Sequence, residues 1–145
     1  LSVTIYDPFS DHDYSKDIDF GFPINIQNDS NKLNSIDFDL IIFCSSTHYI
    51  KNFYEQLTND KIKLPKRVFF INTPFSMNEE IHIKQIDQSE REYKVFIRSY
   101  SKLISIMKKK GYELIFKSSL NWETQNFLNK STFSIVKLLN LLFKL

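Results

Sequence analysis

Glycine is almost missing from this sequence: only Gly21 and Gly111 occur in 145 residues. A glycine-rich turn of the kind that opens nucleotide-binding α/β folds is therefore not encoded in it. Cysteine is scarcer still. Cys44 stands alone, so no internal disulfide forms, and its place in an apolar run reads as an inert core thiol in a reducing, cytoplasmic setting. No apolar run approaches the ~20 residues of a membrane-spanning helix, and no signal peptide is visible. Charge of one sign is lacking too. Lys+Arg 19 against Asp+Glu 17 leaves a formal net charge of +2, too small to argue for nucleic acid or a membrane surface as partner.

What is present is a soluble-type composition, 42% hydrophobic and 25% charged, with 15% aromatics that are mostly Phe. The length suits a single domain over 1–145 with a real core. Leu1–Tyr6 already has the pattern of a strand in progress, without an initiator Met, and reads as part of a domain truncated at its amino end. Such a sheet, lacking a central strand, would expose unpaired edges and favour self-association.

The stretch Asp37–Tyr49 organises the rest. Phe38–Cys44 is a continuous apolar run, the pattern of a strand buried on both faces in a parallel sheet. It stops at Ser45-Ser46-Thr47-His48. Ligands of open α/β sheets bind at the carboxyl ends of strands, so these residues belong to a candidate rim. Ile50, Phe53, Tyr54 and Leu57 then mark one face of a helix over Tyr49–Leu57, with Thr47 as its N-cap. Arg67–Asn72 is a second apolar strand, followed by Thr73-Pro74-Phe75. The two strands and the helix make a right-handed βαβ unit, which puts Asn72 and Thr73 beside Ser45 and Ser46.

The remaining chain is less informative. Val3–Tyr6 is a short strand ending at Asp7-Pro8. Asp7 either opens a turn or, at a strand's carboxyl end, accepts hydrogen bonds from a ribose diol. Asp11, His12, Asp13 and Asp17 match no metal-binding spacing and read as a solvated connection. Ile24–Ile26 is a short edge strand. Ser76–Glu92 reads as a long functional loop with an extended piece at Ile81–Lys84. Ser99–Lys110 is the clearest helix, capped by Ser99, with lysines in its last turn and Gly111 as terminator. Tyr112–Lys117 is a strand. Ser131–Leu145 is open between a strand near Thr132–Lys137, paired with Tyr112–Lys117, and an amphipathic helix.

Taken in order, Phe38–Cys44 with Ser45-Ser46 and Tyr49-Ile50, Val68–Ile71 with Thr73-Pro74-Phe75, Ile83-Lys84-Gln85, and Lys110-Gly111-Tyr112-Glu113-Leu114 resemble a family of class I S-adenosylmethionine-dependent methyltransferases, often encoded near surface-polysaccharide functions. The resemblance covers roughly Val3 to Lys117. It implies an α/β, partial Rossmann-like sheet, mostly parallel, with a carboxyl-terminal antiparallel hairpin and helices on its faces. It implies S-adenosylmethionine as cofactor, with Asp7, Ser45 and Ser46 at the donor, Thr73 and Pro74 at the acceptor, and His48 as the rim histidine available as general base. The acceptor would be a small molecule or glycan precursor. Two departures stand out: the glycine-rich donor turn has no counterpart, and Asn72 replaces an expected arginine. They motivate an alternative, a non-catalytic α/β binding module on the same scaffold. A receiver- or flavodoxin-like domain ranks last, because the rim carries hydroxyls rather than an acidic cluster.

Overall fold

The two short β-rich stretches that the sequence reading expects pair with each other: β1, Val3–Tyr6, lies parallel to β2, Ile24–Gln27, from Val3 opposite Ile24 to Tyr6 opposite Gln27. Gly21, at a φ of 70°, turns the chain ahead of β2, and the Val3 N–H donates to Pro23 O at 3.0 Å. The structure, a computed structural model, describes residues 2–6, 21–27, 32, 36–59, 63–86, 90–120 and 136–145. Asp7 and the Asp11–Asp17 stretch with His12 lie outside the described residues. The chain divides into two units, Leu1–Asp37 and Phe38–Leu145.

The second unit holds β3 Leu40–Cys44, a 3-10 turn Thr47–Tyr49, α1 Phe53–Thr58, β4 Arg67–Ser76, β5 Ile81–Ile86, β6 Glu92–Ser99, α2 Tyr100–Lys109, β7 Glu113–Leu120 and β8 Val136–Lys144. Its sheet runs β5-β6-β4-β8-β7, with β3 also against β4. β3 and β6 are parallel to β4, whereas β8 is antiparallel to it. β5–β6 and β7–β8 are antiparallel pairs. The sheet is thus mixed rather than mostly parallel. The difference comes from a hairpin, β5–β6, inserted between β4 and α2 where the sequence reading expects a loop.

The core lies on one face. Phe53, Tyr54 and Leu57 of α1 and Leu103, Ile106 and Met107 of α2 cover Val68, Phe70, Phe75, Leu139, Leu141 and Phe143. Phe70 stacks on Phe43 at 5.2 Å and meets Phe53, Phe75 and Phe143 edge-on at 6.1, 6.1 and 5.9 Å. Each such pair contributes about 0.5–1.5 kcal/mol beyond burial, which is where the phenylalanine richness goes. Helices on both faces are not found among the described residues. Phe43 packs against the core, and Leu40 (40% exposed), Ile42 (52%) and Cys44 turn to the other side. The expectation of a strand buried on both faces, and of Cys44 as a core thiol, is corrected accordingly. Among the described residues β3 pairs only with β4, and its alternate side chains Leu40 and Ile42 are left exposed.

Two further boundaries differ. Tyr49–Leu57 is not one helix: the 3-10 turn ends at Tyr49 and α1 starts at Phe53. Arg98 explains the break, because its guanidinium donates to Ile50 O and Lys51 O, the carbonyls that Tyr54 and Glu55 would use in a continuous helix. Thr47 is buried, and its hydroxyl has no partner among the described residues, so it does not cap α1. The tail is a strand, not a helix. β8 starts at Val136 and pairs β7 from Glu113 opposite Lys144 to Leu120 opposite Leu138, further along than the expected Thr132–Lys137. Its buried Leu139, Leu141 and Phe143 recur with period two, the period of a strand. Thr132–Ile135 lie outside the described residues.

α2 matches expectation. Ser99 Oγ accepts from the Lys102 N–H at 3.4 Å. At the other end Tyr112 N–H reaches Met107 O at 2.9 Å and Gly111 N–H reaches Lys108 O at 3.0 Å, the paired bonds of a Schellman end with Gly111 at a φ of 86°.

Candidate functional site

β4 changes neighbours half-way along. From Arg67 to Ile71 it pairs with β3; at Phe75 and Ser76 it pairs with β6 on the same edge. Between these two ladders, at Asn72–Pro74, the edge of β4 is flanked by neither strand, and the carboxyl end of β3 opens there. A divergence of this kind at strand ends is where open α/β sheets form ligand crevices.

The backbone is special at the same place. Ser45 and Asn72 both have positive φ, 46° and 48°, a conformation that costs a non-glycine residue of order 1–3 kcal/mol and clusters at functional sites. Hydrogen bonds hold it. Ser45 N–H donates to Ile71 O at 3.0 Å, and Ser45 Oγ–H donates to Asn72 O at 3.0 Å. On the other edge Asn72 N–H donates to Asn140 Oδ1 at 2.9 Å, and Asn140 Nδ2–H donates to Ser118 Oγ at 3.0 Å. The β4–β8 register skips from Phe70 opposite Leu141 to Thr73 opposite Leu139, so Ile71 and Asn72 face Asn140 as a β-bulge.

Ser45 and Asn72 thus share one rim, as the sequence reading expects, and Ser45 is exposed. Thr73 and Pro74 do not follow β4; they lie inside it and are buried. The correction is physical: a positive φ at Asn72 lets the strand kink and resume instead of ending. Thr73 Oγ–H donates to Ile71 O at 3.1 Å.

His48 sits in the 3-10 turn that follows, its ring 4.1 Å from that of Tyr49. Its Nδ1 is buried without a partner among the described residues. Burial, and secondarily the nearby Arg98 charge, lower its pKa from 6.5 to about 4. Arg98 is 2% exposed. It donates to Glu80 Oε2 at 2.9 Å and to the two carbonyls of the turn, and its guanidinium lies 4.9–6.0 Å from the rings of Phe53, Tyr54 and Phe96. Burial works to raise the Glu80 pKa, but hydrogen bonds from His82 and Arg98 outweigh it and hold the carboxyl below its usual range. Tyr54 Oη–H donates to Ser99 O at 2.5 Å, and burial raises the phenol's pKa. Tyr49 Oη–H reaches Gln85 Oε1 at 3.3 Å, a second tie between the turn and the β5–β6 hairpin. Sequence reasoning misses Arg98, Glu80 and Asn140. For Asn140 a signal existed: it is the one polar residue in Leu138–Phe143.

This order of strands and helices has counterparts among solved structures. A methyltransferase from Methanosarcina mazei superposes with a TM-score of 0.58 at 10% identity, over 99% of this chain and 81% of its own. One from Leishmania major gives 0.56 at 13%, over 99% and 55%. The 1,6-didemethyltoxoflavin-N1-methyltransferase of Burkholderia thailandensis, solved with 1,6-didemethyltoxoflavin and S-adenosylhomocysteine, gives 0.54 at 9%, over 97% and 60%. The fold is that of the S-adenosylmethionine-dependent methyltransferases. The chain spans little more than half of the Leishmania protein's length. No protein-family model matches it, nor does any curated protein. No helix among the described residues is long and apolar enough to cross a membrane.

Proposed function

We propose that this chain forms part of an S-adenosylmethionine-dependent methyltransferase acting on a small-molecule or carbohydrate-like acceptor. The observation that carries the reading is the bulge at Asn72, bound to the end of β3 through Ser45, in a chain with the methyltransferase fold. Ser45 and Ser46 face the donor, and Thr73 and Pro74 back the acceptor side from within β4. Bound there, S-adenosylmethionine supplies an electrophilic methyl group on a sulfonium. The residues suit a cationic donor: the Arg98 charge is matched by Glu80 at 2.9 Å, and His48 is held neutral. The rim's task is to hold donor and acceptor in line, which lowers a barrier mainly through lost translational freedom. His48 is the candidate base. With its pKa lowered to about 4 it keeps a lone pair at neutral pH, but that distance from the working pH makes it a weak proton acceptor, suited to receiving a proton late.

Calorimetric titration of the complete protein with S-adenosylhomocysteine tests the reading. Saturable binding is expected, weakened roughly fivefold by Ser46→Ala, the loss of about 1 kcal/mol for one hydrogen bond. The alternative, a non-catalytic binding module, is favoured by the glycine count of two. Absence of saturable binding to the complete protein would select it.

A further inference from the structure

We infer that Asn140 is a positioning residue for this site: its side-chain amide holds the Asn72 bulge in its left-handed conformation and, through Asn72 and Ser45, fixes the end of β3. The inference rests on the methyltransferase reading and adds to it a residue on the strand farthest in sequence from the rim.

A bulge deprives a backbone N–H of its ladder partner. Here the deprived group is Asn72 N–H, and Asn140 Oδ1 takes it at 2.9 Å. The amide is itself anchored, because its Nδ2 donates to Ser118 Oγ on β7 at 3.0 Å; the two bonds together set which way the amide faces. Asn72 C=O is held from the other side by Ser45 Oγ at 3.0 Å. Both backbone polar groups of one strained residue are thus gripped by side chains from β8 and from the end of β3. Packing alone does not ask for an amide at this position, since Leu138, Leu139, Leu141 and Leu142 flank it. Four strands meet in this chain of bonds: Ser118 on β7, Asn140 on β8, Asn72 on β4 and Ser45 following β3. Loosening a link weakens the hold on Asn72 and, through its carbonyl, on the Ser45 hydroxyl, and a shift of about 1 Å in a binding group is enough to lose up to a hundredfold in function.

The test uses the complete protein and S-adenosylhomocysteine as probe, far below any unfolding temperature. Asn140→Leu removes both bonds, Asn140→Asp keeps an oxygen that accepts from Asn72 N–H, and Ser118→Ala removes only the anchor. Expected are faster hydrogen exchange at the Asn72 amide and about tenfold weaker probe binding in Asn140→Leu, recovery to within about threefold in Asn140→Asp, and an intermediate effect in Ser118→Ala. If Asn140→Leu does not fold, the other two variants carry the comparison, with Ser118→Ala expected to bind more weakly than wild type. Variants that lower thermal stability while binding the probe like wild type overturn the positioning role alone. A wild-type protein that does not bind the probe overturns the methyltransferase reading, and this inference with it.

Discussion

Arg98 is the residue whose loss should be felt most widely. Its guanidinium is buried, ion-paired to Glu80 at 2.9 Å and bonded to the carbonyls of Ile50 and Lys51. Replacing it with Met keeps much of the apolar stem's packing against Phe53, Tyr54 and Phe96 but leaves two turn carbonyls without their donor and a carboxylate without its counter-charge. Removing one partner of a buried ion pair costs about 3–5 kcal/mol, and since Glu80 retains 25% side-chain exposure, the lower end, about 3 kcal/mol, is the expectation for Arg98→Met. Glu80→Gln leaves an oxygen to accept from Arg98 and removes only the charge, so it should cost about 1–2 kcal/mol. The Arg98→Met, Glu80→Gln double variant should be less destabilised than the two single changes added together, because neither charge is then stranded. Urea unfolding of the four proteins closes the cycle. An Arg98→Met cost below about 1 kcal/mol would refute the claim that the Arg98 bonds, and not general packing, dock the β5–β6 hairpin on the turn; strict additivity would refute the coupling to Glu80.

The His48 ring predicts an acid limb of stability above the carboxylate range. Its folded pKa of about 4 lies below the value of 6.5 for a free imidazole, so between these values the unfolded chain binds the extra proton; stability is full above pH 6.5 and falls as pH drops toward 4. His48→Leu should flatten the unfolding temperature over that window, and an unchanged slope would count against a buried neutral imidazole. At Asn72, whose φ is 48°, Gly should be tolerated to within about 1 kcal/mol while Val costs about 1–3 kcal/mol. Equal stabilities of the two variants would mean that the bulge is not held as described.

Much of the second unit is legible from local pattern. β3 and β4 follow from two apolar runs, and their parallel pairing from the helical spacing between them. α2 follows from Ser99, its apolar stripe and Gly111, because caps are local chemistry. Ser45 and Asn72 come together on one rim for the same reason: each closes an apolar run, and a βαβ connection aligns the two ends. β6 escapes notice although Val95-Phe96-Ile97 is an apolar, β-prone run, since it is only three residues long and closes at an arginine whose burial makes sense only once its partners are known. Those partners, Ile50 and Lys51, lie 48 and 47 residues away, and they also explain why the predicted helix over Tyr49–Leu57 breaks. The sequence reading places β8 too early, near Thr132–Lys137, whereas its pairing with β7 runs from Leu138 opposite Leu120 to Lys144 opposite Glu113.

The features that periodicity does not reveal share a physical cause. Arg98 supplies donors to carbonyls that a helix would have used; Asn140 supplies an acceptor to an N–H that a ladder would have used; Ser45 supplies a donor to the carbonyl of the same bulged residue. Hydrophobic period reports where backbone groups satisfy one another in regular repeats. It is silent where a distant side chain takes over, because the substituting residue belongs to a different element and its register is not encoded near the gap. In this chain two such takeovers converge on Asn72, at the carboxyl end of β3 and at the point where β4 changes neighbours. An irregular backbone persists only where surrounding groups over-determine it, so the side chains that enforce this bulge are the ones whose replacement should separate the stability of the sheet from the shape of its rim.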